Sequence, residues 1–179
     1  MSREERDEVL HKLREAAEEL VKSISPALVP SAGMNLAYAL PGARNSGDVA
    51  AVAGGIVLEE GKPCMSGPAG FGTGDQAEGI VLTVSRFDPE VLSAAVIRFS
   101  PEFLESLEGM FLETCSFDRA TGPPGIRSMD WGVASCCRTG VPDVIYDLGA
   151  PGVEPLIRIL DISPGEVANK IIMLSARIE

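Results

Sequence analysis

The chain has 179 residues, 45% of them hydrophobic and 23% charged, with a formal net charge of −11. That length predicts one domain, 1–179, with a single sizeable core, and the acidic surplus argues against direct nucleic-acid binding, which needs clustered Lys and Arg. No apolar run reaches bilayer-spanning length and the charged residues 1–8 are not a signal peptide, so a cytoplasmic protein away from membranes is expected.

The first predicted element is an amphipathic helix within residues 1–24. Ser2 and Glu5 have capping-box spacing, and Leu10, Leu13, Ala17, Leu20 and Ile24 recur at intervals of three and four before Pro26 stops the run. A stripe this short suits docking on the domain better than a coiled-coil seam, though pairing through it is a route to a homodimer. A loop over 29–35 leads into the apolar stretch 36–40, which Pro41 and Gly42 end. Residues 48–52 are compatible with a short helix. Residues 55–59 read as a strand turned by Glu60, Gly61 and Lys62.

Residues 66–76 hold Gly67, Gly70, Gly72 and Gly74 together with Pro68, the composition of a loop. Ala77, Ile80, Val81 and Val84 then share one helical face, and Thr73 or Asp75 can cap that helix. Glycines that admit close approach, followed by a helix N-terminus, make either a phosphate seat or a plain capped turn. The stretch matches neither the dinucleotide GxGxxG fingerprint nor a P-loop ending in Gly-Lys-Ser/Thr, which argues against a nucleoside triphosphate.

Asp88, Pro89 and Glu90 open a short turn before a strand at 95–99, and Ser100, Pro101 and Glu102 start a helix through Leu107 that Gly109 closes. A strand is expected over 110–117, a Gly/Pro loop over 118–127, and a helix over 128–138 ended by Gly140. Strands at 144–146 and 156–160 flank a turn at 149–152, and a closing helix from Ser163 carries Val167, Ile171, Ile172 and Leu174. Strands and helices interleave throughout, so the class is α/β with one sheet covered on both faces. The four cysteines, Cys64, Cys115, Cys136 and Cys137, lack CxxC spacing and read as reduced core thiols. His11 is the only histidine and lies in the polar first helix, which excludes a Ser-His-Asp triad and a three-His zinc site.

Four pieces, read together, resemble the archaeal thiamine-phosphate synthase domain ThiN. They are 35–41 with 48–50, then Phe71 and Gly72, then 116–119, and lastly 142–147 with 154–158. The similarity spans roughly residues 10–175. The resemblance implies a three-layer α/β/α sandwich with a mixed sheet, like the class II aldolase/adducin N-terminal fold, and a pocket for thiamine phosphate or its two halves. Such domains are often fused behind a hydroxymethylpyrimidine-phosphate kinase or a helix-turn-helix regulator. Active members join a pyrimidine diphosphate to a thiazole phosphate and expel pyrophosphate, commonly with magnesium.

The chain departs from the active pattern at two positions. An arginine that the family carries is matched by Gly55, and a histidine after Phe-Gly is matched by Gln76. Each loss removes a donor able to stabilise a leaving diphosphate, worth about 10²- to 10³-fold in rate. Basic residues that the family tends to place near the Tyr-Asp turn are replaced by Leu148 and Val153, which favours a less anionic ligand.

The candidate ligand-binding residues are Asn35, Gly72, Thr73, Gly74, Asp75, Gln76, Arg119, Asp143 and Asp147, with no catalytic residue and no metal ligand assigned. Asn35 reads as a ligand amide or a turn cap. Asp118 with Arg119 reads as an ion pair at a loop mouth or a solvated pair, and Arg119 is the first choice for a bidentate phosphate contact. Asp143 and Asp147 flank a buried strand, where a carboxylate lines a pocket or serves the strand end. Trp131 suits helix packing better than stacking on a pyrimidine. Three readings follow: a domain that binds a small phosphorylated ligand with weakened or no catalysis, an active synthase using magnesium, or a structural or oligomeric module.

Overall fold

Ser2 accepts the Glu5 backbone N–H while the Glu5 carboxylate accepts that of Ser2, and this capping box opens α1 (Arg3–Ser23). Val9, Leu13, Ala16, Ala17 and Leu20 are its buried stripe, as the spacing predicts. The computed structural model describes residues 2–119 and 128–178, the side chains of 128–130 excepted. A 3-10 turn at Pro26–Leu28, capped by Ser25, redirects the chain toward the sheet.

The strands are β1 (Asn35–Ala39), β2 (Val49–Val52), β3 (Ile56–Glu59), β4 (Lys62–Met65), β5 (Ala69–Phe71), β6 (Ser93–Arg98), β7 (Thr114–Phe117), β8 (Val144–Asp147) and β9 (Leu156–Asp161). Seven of them form one sheet in the order β5-β2-β1-β6-β9-β8-β7, while β3 and β4 make a separate hairpin. All pairings are antiparallel except β7 with β8, so the sheet is mixed. The remaining helices are α2 (Gln76–Phe87), α3 (Pro101–Gly109), α4 (Ser128–Ser135) and α5 (Pro164–Ile178).

Successive side chains of a strand point to opposite faces, and here both faces are apolar. Leu36, Ala95, Ile97, Ile157 and Ile159 pack with Leu13 and Leu20 of α1, Phe103 and Leu107 of α3, and Val167, Ile171 and Leu174 of α5. Their neighbours Ala37, Ala39, Ala94, Val96 and Leu160 pack with Ala77, Ile80, Val81 and Val84 of α2 and Val133 of α4. The result is the three-layer α/β/α sandwich.

Several expectations are corrected. Residues 48–52 are not a helix: a 3-10 turn at Ser46–Asp48 leads into β2, whose four residues are all buried. A short, uniformly apolar run has no periodicity to separate helix from strand, and its sheet neighbours decide. Within the glycine-rich stretch, Ala69–Phe71 is an edge strand paired to β2 through its backbone, which needs no large side chains. The 110–117 strand shortens to Thr114–Phe117 because the end of α3 turns through Phe111 at φ 62°. The fourth helix stops at Ser135 rather than at 138. Of the Gly/Pro loop expected over 118–127, residues 120–127 lie outside the described residues.

The cysteines are not four core thiols. Cys115 on β7 and Cys136 just beyond α4 form a disulfide, with Cα atoms 5.8 Å apart. Cys64 is half-buried on the β3–β4 hairpin, with its Sγ 3.3 Å from a Glu59 oxygen. Only Cys137 is a buried free thiol, and burial pushes it up to about 11, so near neutral pH it is a poor thiolate for exchange with its bonded neighbour. The disulfide closes a sequence separation of 21 residues. On the chain-entropy scale, reducing it is expected to cost about 3 kcal/mol of stability. Urea unfolding with and without reductant measures this, and coincident midpoints would show that the bond does not constrain the chain in solution.

Candidate ligand site

The strand directions gather distant residues at one end of the sheet. With β1 antiparallel to β2 and β6, and β9 antiparallel to β6 and β8, the start of β1 meets the ends of β2 and β6, and the ends of β7 and β8 meet the start of β9. A cavity of about 380 Å³ lies at this end. Asn35, Gly54, Gly55, Asp75, Gln76, Arg119, Val153 and Glu154 are on its wall, beside the turn 30–34.

Arg119 follows β7 and reaches across to Asp147 at the end of β8. Its Nε donates to Asp147 Oδ1 at 2.7 Å and its Nη2 to Oδ2 at 3.2 Å, the bidentate fork that a planar guanidinium makes. Arg158 of β9 donates from Nη2 to Asp147 Oδ2 at 2.8 Å and from Nη1 to the Leu156 carbonyl, with its guanidinium 5.0 Å from the Phe117 ring centroid. The Gly149 N–H also donates to Asp147, at 2.8 Å. Arg158 and Asp147 are both fully buried. Burial pushes the Asp147 carboxyl up, but the bonds and charge of Arg119 and Arg158, with the Gly149 N–H, outweigh it and hold the carboxyl below its usual range. Burial likewise pulls the Arg158 guanidinium down, with Asp147 opposing. It nevertheless stays charged, as arginine does in proteins. Asp147 thus takes two arginines, and among the described residues Arg119 is the only cationic side chain on the cavity wall, facing the carboxylates of Asp75 and Glu154 on the same wall.

Asn35, at the start of β1, is buried and serves the backbone. Its Nδ2 donates to the Val52 carbonyl at 2.9 Å, and its Oδ1 accepts from the N–H groups of Leu36 and Val52. The side chain thus extends the β1–β2 ladder across the cavity wall. Gly55 stands beside it at φ +77°, and a Cβ there would meet the Met34 carbonyl oxygen at 2.8 Å. Gly55→Ala is expected to destabilise the fold by about 1–2 kcal/mol from the left-handed backbone alone, with the carbonyl contact adding to it. Denaturant melts check this, and an unchanged midpoint would show that this segment relaxes freely. An arginine at this position therefore needs a different local backbone.

Asp75 is the N-cap of α2, its carboxylate accepting the Ala77 N–H at 2.8 Å, and Gln76 begins the helix; both line the cavity. Gly72, Thr73 and Gly74 do not. The Gly72 N–H is bonded to Val49, and those of Thr73 and Gly74 to the carboxylate of Glu78. Asp143 is at the opposite end of β8 from Asp147, about 13 Å of strand away. There it accepts the Glu113 N–H at 2.8 Å and faces Lys170 at 3.5 Å. Leu148 is 71% exposed and not on the cavity wall, whereas Val153 of the same β8–β9 connection is.

Three polar residues at or near the cavity were absent from the candidate set: Glu78, Glu154 and Arg158. Arg158 had a legible signal, since an arginine in the centre of an apolar strand requires a buried acid. Glu154 accepts the Ser31 N–H at 3.0 Å across the cavity mouth, a contact between residues 123 apart that no local pattern encodes. Glu78 sits in the first turn of its helix, where an acid can fold back on the preceding loop.

The layers and strand order define a three-layer α/β/α fold of the class II aldolase-like type. L-fuculose-1-phosphate aldolase from Thermus thermophilus superposes with TM-score 0.53 at 14% identity, covering 97% of this chain and 94% of that one, a likeness of fold alone. A family model described as thiamine-phosphate synthase ThiN matches residues 12–173, and the chain belongs to this family. It is similar to the bifunctional thiamine biosynthesis protein ThiDN of Methanocaldococcus jannaschii, 36% identical over 155 residues that are 85% of this chain and 37% of that protein. The chain thus spans little more than a third of the length of that relative. It is also similar to thiamine-phosphate synthase ThiN of Methanothermobacter thermautotrophicus, 30% identical over 149 residues, 79% of this chain and 78% of that protein. The crystal structure of the C-terminal domain of protein MJ0236 superposes with TM-score 0.90 at 32% identity, covering 97% of this chain and 98% of that one. The C-terminal domain of a phosphomethylpyrimidine kinase superposes at 0.87 and 33%, covering 93% and 98%.

Proposed function

We propose that the chain binds thiamine phosphate, or a related pyrimidine or thiazole phosphate, in the strand-end cavity, with synthase turnover weakened or lost. The observation that carries this reading is the convergence of Gly55, Gln76 and Arg119, far apart in sequence, on one cavity wall. Arg119 supplies a guanidinium oriented by Asp147, suited to a phosphate. The two positions where the family pattern carries a cation and an imidazole here offer a hydrogen atom and a neutral amide, so binding is retained while charge stabilisation of a departing diphosphate is reduced. The apolar stripe of α1 is buried within its own chain, which favours this reading over a module that pairs through that helix. Among the described residues no three His, Cys, Asp or Glu side chains gather where they could hold a metal ion. Magnesium belongs to the catalytic reading alone and is assigned to no residue.

Calorimetry with thiamine phosphate tests the binding, and absence of heat at millimolar ligand would remove it. A coupled assay for released pyrophosphate tests the turnover. Rates matching those of the Methanothermobacter thermautotrophicus relative would instead make the chain an active synthase.

A further inference from the structure

The charges on the cavity wall do not balance, and the imbalance describes a ligand. Asp75 reaches the wall from the head of α2 and Glu154 from the β8–β9 connection, both half-buried, while Arg119 stands just beyond β7. Arg119 is already engaged by Asp147, at 2.7 and 3.2 Å. Among the described residues neither Asp75 nor Glu154 forms an ion pair with a Lys or Arg. Their bonds are to neutral donors: Asp75 Oδ1 accepts the Ala77 N–H at 2.8 Å, and Glu154 accepts the Ser31 N–H at 3.0 Å and the Ser31 hydroxyl at 3.4 Å. Those bonds fix the two carboxylates in place and leave their charge uncompensated. The wall also includes the buried apolar residues Met34, Val96 and Leu156, which suit a ring.

We propose that Asp75 and Glu154 are specificity-determining residues that select a ligand whose ring is cationic as well as phosphorylated. This selection rests on the reading of the cavity as a phosphate-ligand site. A thiazole phosphate has an uncharged ring, because its nitrogen is unalkylated. Once that nitrogen is bonded to the pyrimidinylmethyl carbon, the ring is a thiazolium with a permanent positive charge. A phosphate with a neutral ring meets one guanidinium and two carboxylates here, whereas a thiazolium phosphate offers each wall charge its opposite. Unpaired charge against the wrong ligand is as effective a source of specificity as attraction of the right one. At about 380 Å³ the cavity has the size of a small-molecule site. The chain is thereby set to hold the joined molecule in preference to the separate thiazole half.

Calorimetry on the full chain with thiamine phosphate and with its isosteric thiophene analogue, which carries the same phosphate on an uncharged ring, tests the proposal. The wild type is expected to bind the thiazolium compound about tenfold or more tightly, the worth of one unit-charge attraction at a partly buried site. In Glu154→Gln and in Asp75→Asn the ratio of the two affinities is expected to fall by about threefold each. In the double variant the preference is expected to disappear. The amides still accept the Ala77 and Ser31 hydrogen bonds, so a merely structural role leaves the ratio unchanged. If the double variant lacks a cooperative melt, the single variants decide. Equal wild-type affinities overturn the proposal, as do folded variants that keep the wild-type ratio. Failure of both compounds to bind at millimolar concentration removes the cavity reading and the proposal with it, whereas equal binding of both removes only the charge selection.

Discussion

Asp147→Ala is expected to cost about 3–5 kcal/mol of folding stability. The variant leaves Arg158, fully buried, and Arg119 beside it without the carboxylate that both of them bond. Truncating one member of a buried ion cluster is more harmful than never having had it, because the remaining charges stay desolvated with their shared carboxylate gone. Asp147→Asn keeps the shape but not the charge and is expected to fall between wild type and alanine. The pH dependence has a definite sign. The folded-state carboxyl is held below its usual range, so its contribution is complete above the unfolded value of about 3.9 and is lost as the pH falls through the lower folded value. Urea melts from pH 7 to pH 2 should therefore show a wild-type decline below about pH 4 that is shallower in Asp147→Asn. Equal slopes would remove Asp147 as the source of acid lability.

Arg119→Ala is expected to weaken binding of a phosphate-bearing ligand by about 100-fold, with a smaller change in stability. The guanidinium is the one cationic group that the described residues place on the cavity wall, and Asp147 retains Arg158 when it is gone. Arg119→Lys should recover part of the affinity, since it restores the charge without the planar fork. Affinity and melting temperature measured on the same samples separate the roles: a large loss of stability with unchanged affinity would make Arg119 a structural ion-pair member only.

The layered architecture was largely legible because local rules and global packing agree. The Ser2–Glu5 box, the Ser100-Pro101 start of α3 and the three-four spacing of Leu13, Leu20, Val81 and Val84 each describe a contact that the fold uses. What was illegible depends on partners remote in sequence. Val49–Val52 has a strand's burial only because β1 and β5 flank it. Nothing in the spacing of Cys115 and Cys136 tells that β7 and the end of α4 lie side by side. Asp143 and Asp147 flank the same strand, yet the direction of β8 sends only Asp147 to the cavity end. The glycine turn reads equally as a phosphate seat or a capped turn, and only the fold shows that Glu78, four residues after Gly74, takes its N–H groups.

The cavity wall draws on residues from Pro30 to Leu156, so its parts come together only once nearly every strand has been laid in place. A molecule that settles there binds the completed domain and has no counterpart site in the unfolded chain. At a hundredfold excess over its Kd it should add about 2.7 kcal/mol to the stability of the whole chain. The melting temperature is therefore a ligand screen in itself: candidate vitamin precursors can be ranked by the shift they cause, without an assay for any reaction.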